Sequence, residues 1–221
     1  MGNIFGDIGN WLINLVYWLP GILIGFVMHE FAHALAADRL GDPTPRMTGR
    51  LTLNPIAHID PLGFLMLIVA KFGWAKPVMT NPSRYKIKRF GYAIVGLAGP
   101  MMNLLLGLLF LFLYMFFATR AVLPMDHFLM YILLYAIQIN VILMVFNLIP
   151  IPPLDGYNIL KDALLIRVVR PQTLWNFERY GQFILLALVF LGATSSVIGT
   201  VSNFLLNRGI RLFYLIFGQG I

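Results

Sequence analysis

The stretch that decides the fold is IGNWLINLVYWLPGILIGFVM, residues 8–28, which holds no Asp, Glu, Lys or Arg and runs directly into the string HEFAH, residues 29–33. A membrane-spanning helix needs about 20 mostly apolar residues, so this stretch predicts a span. Three further stretches without charged residues, 90–119, 127–154 and 181–207, are also long enough. We therefore predict an all-α polytopic membrane protein with about 4–6 transmembrane helices, some of them broken.

The composition of the chain supports this prediction. Of its 221 residues, 59% are hydrophobic and only 11% are charged, whereas soluble domains usually carry about 25% charge. The chain has no cysteine, which excludes a disulfide scaffold, a catalytic thiol and a thiolate metal site. Any bound metal must therefore use His, Asp or Glu.

The distribution of basic residues predicts the orientation in the membrane. They concentrate at residues 39–50, 71–89 and 161–179, whereas the loop after the second uncharged stretch holds only Arg120. The positive-inside rule places the three basic regions in the cytoplasm and both termini outside. This requires that residues 61–70, only ten apolar residues, be re-entrant or interfacial and not a span. Topology and anionic lipid headgroups account for the basic run at 84–89, so we expect the lipid bilayer and no nucleic acid as a partner.

A short segment near the cytoplasmic face has a different character. Residues 44–60 are rich in Thr, Pro and Asn and include the string RLTL at 50–53. Such a segment, bounded by turn-forming residues, predicts a small β-hairpin or a sheet edge.

The string HEFAH is an H-E-x-x-H motif at the end of the first span. On a helix, positions i and i+4 share one face, so His29 and His33 can both reach one zinc ion. Glu30 lies beside the first ligand and can accept a proton from a metal-activated water. Ionisable residues within a span are costly and usually functional. The helix rise puts both histidines roughly 8–14 Å inside the boundary marked by Asp38 and Arg39.

A catalytic zinc usually has three protein ligands and one open position. The residues alone leave His58, Asp60 and Asp155 open as the third ligand, because Asp126 and His127 fall on the opposite side of the membrane. Asp155 lies in the string NLIPIPPLDG, residues 147–156, where three prolines break a hydrophobic stretch. Such a break is tolerated at membrane depth only next to protein or water.

Together, HEFAH and NLIPIPPLDG resemble the motifs of the site-2 protease family of intramembrane zinc metalloproteases. The strings GRLTLNP (49–55), HIDP (58–61), KPV (76–78) and GPMMN (99–103) are also similar to its compact bacterial and archaeal members. The resemblance runs from about residue 24 to 160. The chain leaves no room for the PDZ or CBS domain of many relatives.

The resemblance implies specific roles at these positions. His29, His33 and Asp155 would bind one Zn²⁺ per chain, Glu30 would be the general base, and Asn147 would anchor the substrate main chain or the developing oxyanion. Asn140 lies two helical turns before Asn147 and is a candidate for supporting the site, although interhelical hydrogen bonding explains it equally well.

Three further residues are weaker candidates for supporting the site. Asn103 could contact the active-site cavity or only pack at a helix kink. His58 and Asp60 could orient a ligand or line a water path, although a structural role in a loop is favoured.

The predicted function is zinc-dependent cleavage of the transmembrane segments of membrane proteins, in a multi-pass protein of the cell membrane with its active site toward the cytoplasmic side. One membrane-embedded protease domain would cover residues 1–221. A transmembrane protein or peptide would be the substrate, and after local unwinding it could add to a sheet edge at residues 44–53. The alternative is a non-catalytic zinc-binding membrane protein, either a metal transporter or a protein that binds partner helices.

Overall fold

The computed structural model describes the backbone of residues 4–70, 73–120 and 122–217, so Lys71 in the second basic region lies outside the described residues. The described part is helical, with one isolated antiparallel bridge between Ile59 and Ala75. The helices are α1 (Ile4–Arg39), α2 (Thr44–Met47), α3 (Pro55–His58), α4 (Pro61–Ala70), α5 (Gly91–Thr119), α6 (Phe128–Asn147), α7 (Asp155–Leu160), α8 (Ile166–Val168), α9 (Pro171–Phe190) and α10 (Ala193–Phe217). A 3₁₀ turn covers Pro82–Arg84, and a π-helical turn, Lys161–Leu165, joins α7 to α8.

Within the part of the chain that the structure describes, three helices are long and apolar enough to cross a membrane: Trp11–Arg39 within α1, Gly91–Thr119 and Phe128–Asn147. Helices α9 and α10 count as a fourth span only if the bent pair is taken together. Four spans is the lower end of the predicted range. The chain is therefore an all-α protein with the helices of a multi-pass membrane protein.

The fourth uncharged stretch, residues 181–207, does not form one straight helix. Helices α9 and α10 meet at an angle of 75°. The break falls at Gly192, whose φ of 72° lies in the left-handed region. Glycine adopts this conformation without the steric cost that other residues bear, so Gly192 ends α9 and lets the chain turn.

The predicted β-hairpin at residues 44–60 is wrong. Helical turns α2 and α3 occupy this segment, and no sheet is present among the described residues. Pro45 stands in the first turn of α2 and Pro55 at the start of α3, positions where the fixed φ of proline suits a helix. Asn54 caps α3 by accepting a hydrogen bond from the Ile56 amide at 3.1 Å. The sheet edge expected at 44–53 is consequently absent as well.

Helix α4 has the predicted bounds and, with ten residues, is too short to span a bilayer. Asp60 lies at its N-terminus and accepts a hydrogen bond from the Gly63 amide at 2.8 Å. Asp60 is therefore a helix cap, which is the structural alternative considered for it.

An extended segment, residues 73–81, follows α4 and runs past the end of α1. The Lys76 amide donates to the His58 carbonyl at 2.8 Å, and the Asn81 amide donates to Asp42 Oδ2 at 2.6 Å. Asp42 is fully buried and also accepts hydrogen bonds from the amide and hydroxyl of Thr44. Burial raises the pKa of Asp42, but these hydrogen bonds and the nearby Arg84 outweigh burial and hold it below its usual value. The carboxylate thus fixes one end of the segment.

Helices α1, α5 and α6 pack against one another and form the centre of the molecule. Helix α6 ends at Asn147, and the proline-rich string then leads to α7, which begins at Asp155. Helix α9 supports α7 from outside: Tyr157, which is buried, donates to Glu178 Oε1 at 2.9 Å, and Lys161 pairs with the same carboxylate. This packing sets Asp155 against the end of α1.

Candidate metal centre

Three side chains from α1 and α7 converge on one point. His29 and His33 are one turn apart on α1, and their Nε2 atoms lie 3.0 Å from each other. Asp155 Oδ2 lies 3.1 Å from His29 Nε2 and 3.2 Å from His33 Nε2. Among the described residues, these three form the group of His, Asp and Glu side chains that could hold a metal ion. Both imidazoles are buried.

The other nitrogen of each imidazole is hydrogen-bonded to α5. His33 Nδ1 lies 2.7 Å from the carbonyl oxygen of Val95, which can only accept, so Nδ1 carries the proton. His29 Nδ1 lies 2.6 Å from Asn103 Oδ1. The Asn103 amide is oriented by its nitrogen, which donates to the Gly25 carbonyl at 3.2 Å. In the neutral form of each ring, which is the form that binds a metal, Nε2 is then the nitrogen with the free lone pair, and the two Nε2 atoms face each other.

This donor set fits a zinc ion. Two imidazole nitrogens and a carboxylate oxygen are ordinary zinc ligands, and ligands about 2.0–2.2 Å from a tetrahedral zinc lie roughly 3.3–3.5 Å apart. The three separations of 3.0–3.2 Å are close to that value. Three electron-rich atoms in a buried site also repel one another unless a proton or a metal cation lies between them. The hydrogen bonds at both Nδ1 atoms are the outer contacts that metal-binding histidines usually make.

Glu30 lies between two cavities that meet at the metal centre. Its carboxylate accepts a hydrogen bond from the Val78 amide at 3.1 Å. Glu30, His29 and Asn147 line both a cavity of about 510 Å³ and a smaller one of about 210 Å³. The larger cavity has mostly apolar walls from α1, α4 and α6, and the smaller one is bounded by the extended segment and the start of α7. The larger cavity therefore opens onto Glu30.

The three asparagines predicted to support the site, Asn103, Asn140 and Asn147, have different surroundings in the structure. Asn103 and Asn140 are completely buried, and Asn103 Nδ2 donates to Asn140 Oδ1 at 3.1 Å. Asn140 in turn donates to the Ala136 carbonyl of its own helix at 2.9 Å. Its contact with Asn103 joins α6 to α5 and places Asn140 two contacts from the metal centre. Asn147 lines both cavities, and its side chain donates to the Leu143 carbonyl at 2.9 Å.

His58 and Asp60 are not part of the metal-binding group found among the described residues. His58 is buried beneath the loop and bonds the Thr52 carbonyl through Nε2 at 2.8 Å. Together with the capping role of Asp60, this contact places both residues in the loop structure before α4.

Two backbone groups at the site could not be identified from residue types. The Val95 carbonyl orients His33, and the Val78 amide bonds Glu30. Backbone groups are present at every residue, so only the path of the chain brings them to the site. A weak indication existed for Val78, since the string KPV was one of those that resembled the family.

Comparisons with known proteins agree with this chemistry. A family model described as "Peptidase family M50" matches residues 120–192, which include Asn147 and Asp155. A protein of Bacillus subtilis (strain 168) named "Putative zinc metalloprotease YwhC" is 37% identical over 204 residues, covering 91% of this chain and 92% of that protein. No solved structure matches.

Two mycobacterial proteins named "Putative zinc metalloprotease Rip2" are also similar. The one from Mycolicibacterium smegmatis is 35% identical over 171 residues, and the one from Mycobacterium tuberculosis (strain H37Rv) is 34% identical over 186 residues. The matches cover 72% and 78% of this chain but only 62% and 64% of those proteins.

Proposed function

The chain belongs to peptidase family M50, the site-2 protease family of zinc metalloproteases, and on that premise we propose that it is an intramembrane endopeptidase that cleaves transmembrane segments of membrane proteins. The observation that carries the proposal is the convergence of His29, His33 and Asp155 within 3.0–3.2 Å, with Glu30 beside them at the junction of two cavities.

His29, His33 and Asp155 would hold the zinc ion, which supplies, when bound, polarisation of a scissile carbonyl and acidification of a water molecule. Glu30 accepts the proton of the attacking water and returns it to the leaving amine. Val78 donates to one carboxylate oxygen of Glu30 and thereby fixes its orientation, leaving the other oxygen for the proton. Asn147 lines both cavities and offers an amide to the substrate main chain or the developing oxyanion.

The two cavities suit different parts of the reaction. The larger one has apolar walls, including Phe26, Ile139 and Phe146, and would receive the apolar side chains of a transmembrane segment. The smaller one is bordered by polar groups, among them Thr80 and Asn158, and would admit water. A substrate helix keeps its backbone hydrogen bonds internal, so it must unwind before its peptide bond reaches Glu30.

We place this protease in the cell membrane as a multi-pass protein with the metal centre toward the cytoplasmic side, and we treat residues 1–221 as one protease domain. Basic residues at both ends of the segment between α1 and α5 support this orientation. A non-catalytic zinc binder would need neither a carboxylate beside the ligands nor a cavity of about 510 Å³ leading to it. Glu30 and that cavity therefore favour the protease over the transporter or partner-binding protein.

The test is cleavage of transmembrane reporter proteins by purified protein reconstituted in liposomes. Wild type and Glu30→Gln are compared, because this substitution preserves size and removes the base. We expect cleavage by wild type only, with about one zinc per chain in both. Equal cleavage by both proteins would refute the assignment of Glu30. Zinc-loaded wild type that cleaves no reporter in a broad panel but moves zinc across the liposome membrane would establish the transporter instead.

A further inference from the structure

Helix α5 presents a strip of three buried residues to the metal ligands of α1. Val95, Gly99 and Asn103 are spaced four residues apart and therefore lie on about the same face of the helix. The Val95 carbonyl bonds His33, and the Asn103 side chain bonds His29. The two acceptors hold the two imidazoles by their Nδ1 atoms, and Gly99 lies between them.

Gly99 faces the opposite edges of both rings. A Cβ built on this residue would lie 2.6 Å from both Cε1 and Nε2 of His29 and closer still to Nε2 of His33. Real Cβ atoms essentially never approach other heavy atoms this closely. The space beside Gly99 is thus next to both Nε2 atoms, and a zinc ion held by these nitrogens would lie about 2.0–2.1 Å from each of them.

The imidazoles cannot easily move away from a side chain at this position. Each ring is fixed at Nδ1 by a hydrogen bond of 2.6 or 2.7 Å to α5 itself. The two rings also pack edge to face with their centroids 4.6 Å apart. A ring that retreated from residue 99 would lose its hydrogen bond and press on its neighbour.

We propose that Gly99 is a positioning residue of the metal centre: its lack of a side chain keeps open the space in which His29 and His33 bind the metal, while Val95 and Asn103 fix the rings on either side. This inference rests on the proposed function, since it assigns a role toward the same zinc ion. It predicts that even one methyl group at position 99 excludes the metal.

Gly99→Ala is the test variant, and Gly107→Ala is its matched control. Both glycines are buried in α5, but Gly99 precedes Pro100, which disfavours a helical residue with a Cβ before it, so the two variants are compared by their zinc affinity and not by their stability alone. A Cβ at Gly107 would meet its nearest neighbour, Val141 Cγ2, at 3.4 Å, which is ordinary van der Waals contact. We would measure zinc per chain and the zinc dissociation constant by chelator competition in detergent. The dissociation constant should rise at least about 100-fold in Gly99→Ala and stay within about threefold of wild type in Gly107→Ala.

A second measurement keeps the inference testable if Gly99→Ala is poorly stable. The change in melting temperature that Gly99→Ala causes in metal-free protein is measured in two backgrounds, with the histidines present and with His29→Ala/His33→Ala. The loss caused by Gly99→Ala should be clearly smaller in the histidine-free background, because the clash with the rings is then gone and only the cost of a Cβ before Pro100 is left. An equal loss in both backgrounds, or wild-type zinc affinity in Gly99→Ala, would overturn the role of Gly99. A wild type that takes up no zinc would instead refute the metal centre itself.

Discussion

Replacing Asn103 with leucine should weaken zinc binding although the three proposed ligands all remain in place. Asn103 is completely buried, and its side chain connects three groups: it accepts from His29 Nδ1 at 2.6 Å and donates to Gly25 O at 3.2 Å and to Asn140 Oδ1 at 3.1 Å. Leucine has a similar volume and offers none of these contacts. The variant therefore isolates the hydrogen bonds from the packing.

The expected magnitude follows from the groups left without a partner. The Gly25 carbonyl lies inside α1, where the helix itself provides a donor, so its contribution is small. The His29 Nδ1 proton and Asn140 Oδ1 lose a partner in a dry interior, at about 1–3 kcal/mol each. Asn103→Leu should thus lose about 2–6 kcal/mol of stability. Loss of such an outer contact typically lowers metal affinity about 10–100-fold, which corresponds to about 1.4–2.7 kcal/mol.

The assay measures two quantities on each purified variant in detergent: the zinc dissociation constant by chelator competition and the melting temperature after zinc removal. Asn140→Leu is the control, because Asn140 bonds Asn103 and the Ala136 carbonyl but neither histidine. It should lower the melting temperature and leave the zinc dissociation constant within about threefold. An unchanged zinc dissociation constant in Asn103→Leu, or an equal rise in both variants, would show that the contact to His29 does not orient the ligand.

Three other substitutions test the site and its surroundings. Glu30→Gln should retain zinc and reduce reporter cleavage at least about 100-fold, and normal turnover would rule out the general-base role. Asp155→Ala should leave clearly less than one zinc per chain by elemental analysis, whereas unchanged zinc affinity would exclude Asp155 as a ligand. Asp42→Asn should reduce the acid sensitivity of the melting temperature. The pKa of Asp42 is depressed in the folded protein, so its carboxylate stabilises the fold fully above about pH 4 and less as pH falls through the folded pKa. An equal drop in melting temperature for wild type and Asp42→Asn on acidification would contradict this.

The helical fold and the shared face of His29 and His33 could be predicted because both depend on local sequence. The 21 uncharged residues at 8–28 fix a helix by length and apolarity alone. The four-residue spacing of His29 and His33 then places both on one face, whatever surrounds them. Asp155 could be proposed as the third ligand only from the resemblance to the site-2 protease family, because nothing in residues 147–156 alone indicates that α7 packs against the end of α1.

The predicted β-hairpin at residues 44–60 failed because the same residues can be interpreted as a strand or as helical turns. The Thr-rich string at 44–53 has strand-like composition, yet Pro45 and the pair Asn54-Pro55 start helical turns, and these local constraints determined the structure. The extended segment that passes the candidate metal centre, residues 73–81, is held by contacts to residues far away in sequence: Glu30, Asp42 and His58. Composition carries no information about such contacts.

The contacts that hold His29 and His33 depend on the alignment of α1 with α5 more than on any single residue type. The pairs His33–Val95 and His29–Asn103 show that α1 and α5 run in opposite directions, with the two histidines four residues apart on α1 and their two partners eight residues apart on α5. A slide of one turn, about 5.4 Å, would take one histidine off the strip and set the other against the wrong acceptor. Since one of the acceptors is a backbone carbonyl and the residue between them has no side chain, only the alignment distinguishes this strip from the rest of α5. We therefore expect packing contacts that fix α1 against α5 to contribute to zinc binding even when they lie far from His29, His33 and Asp155.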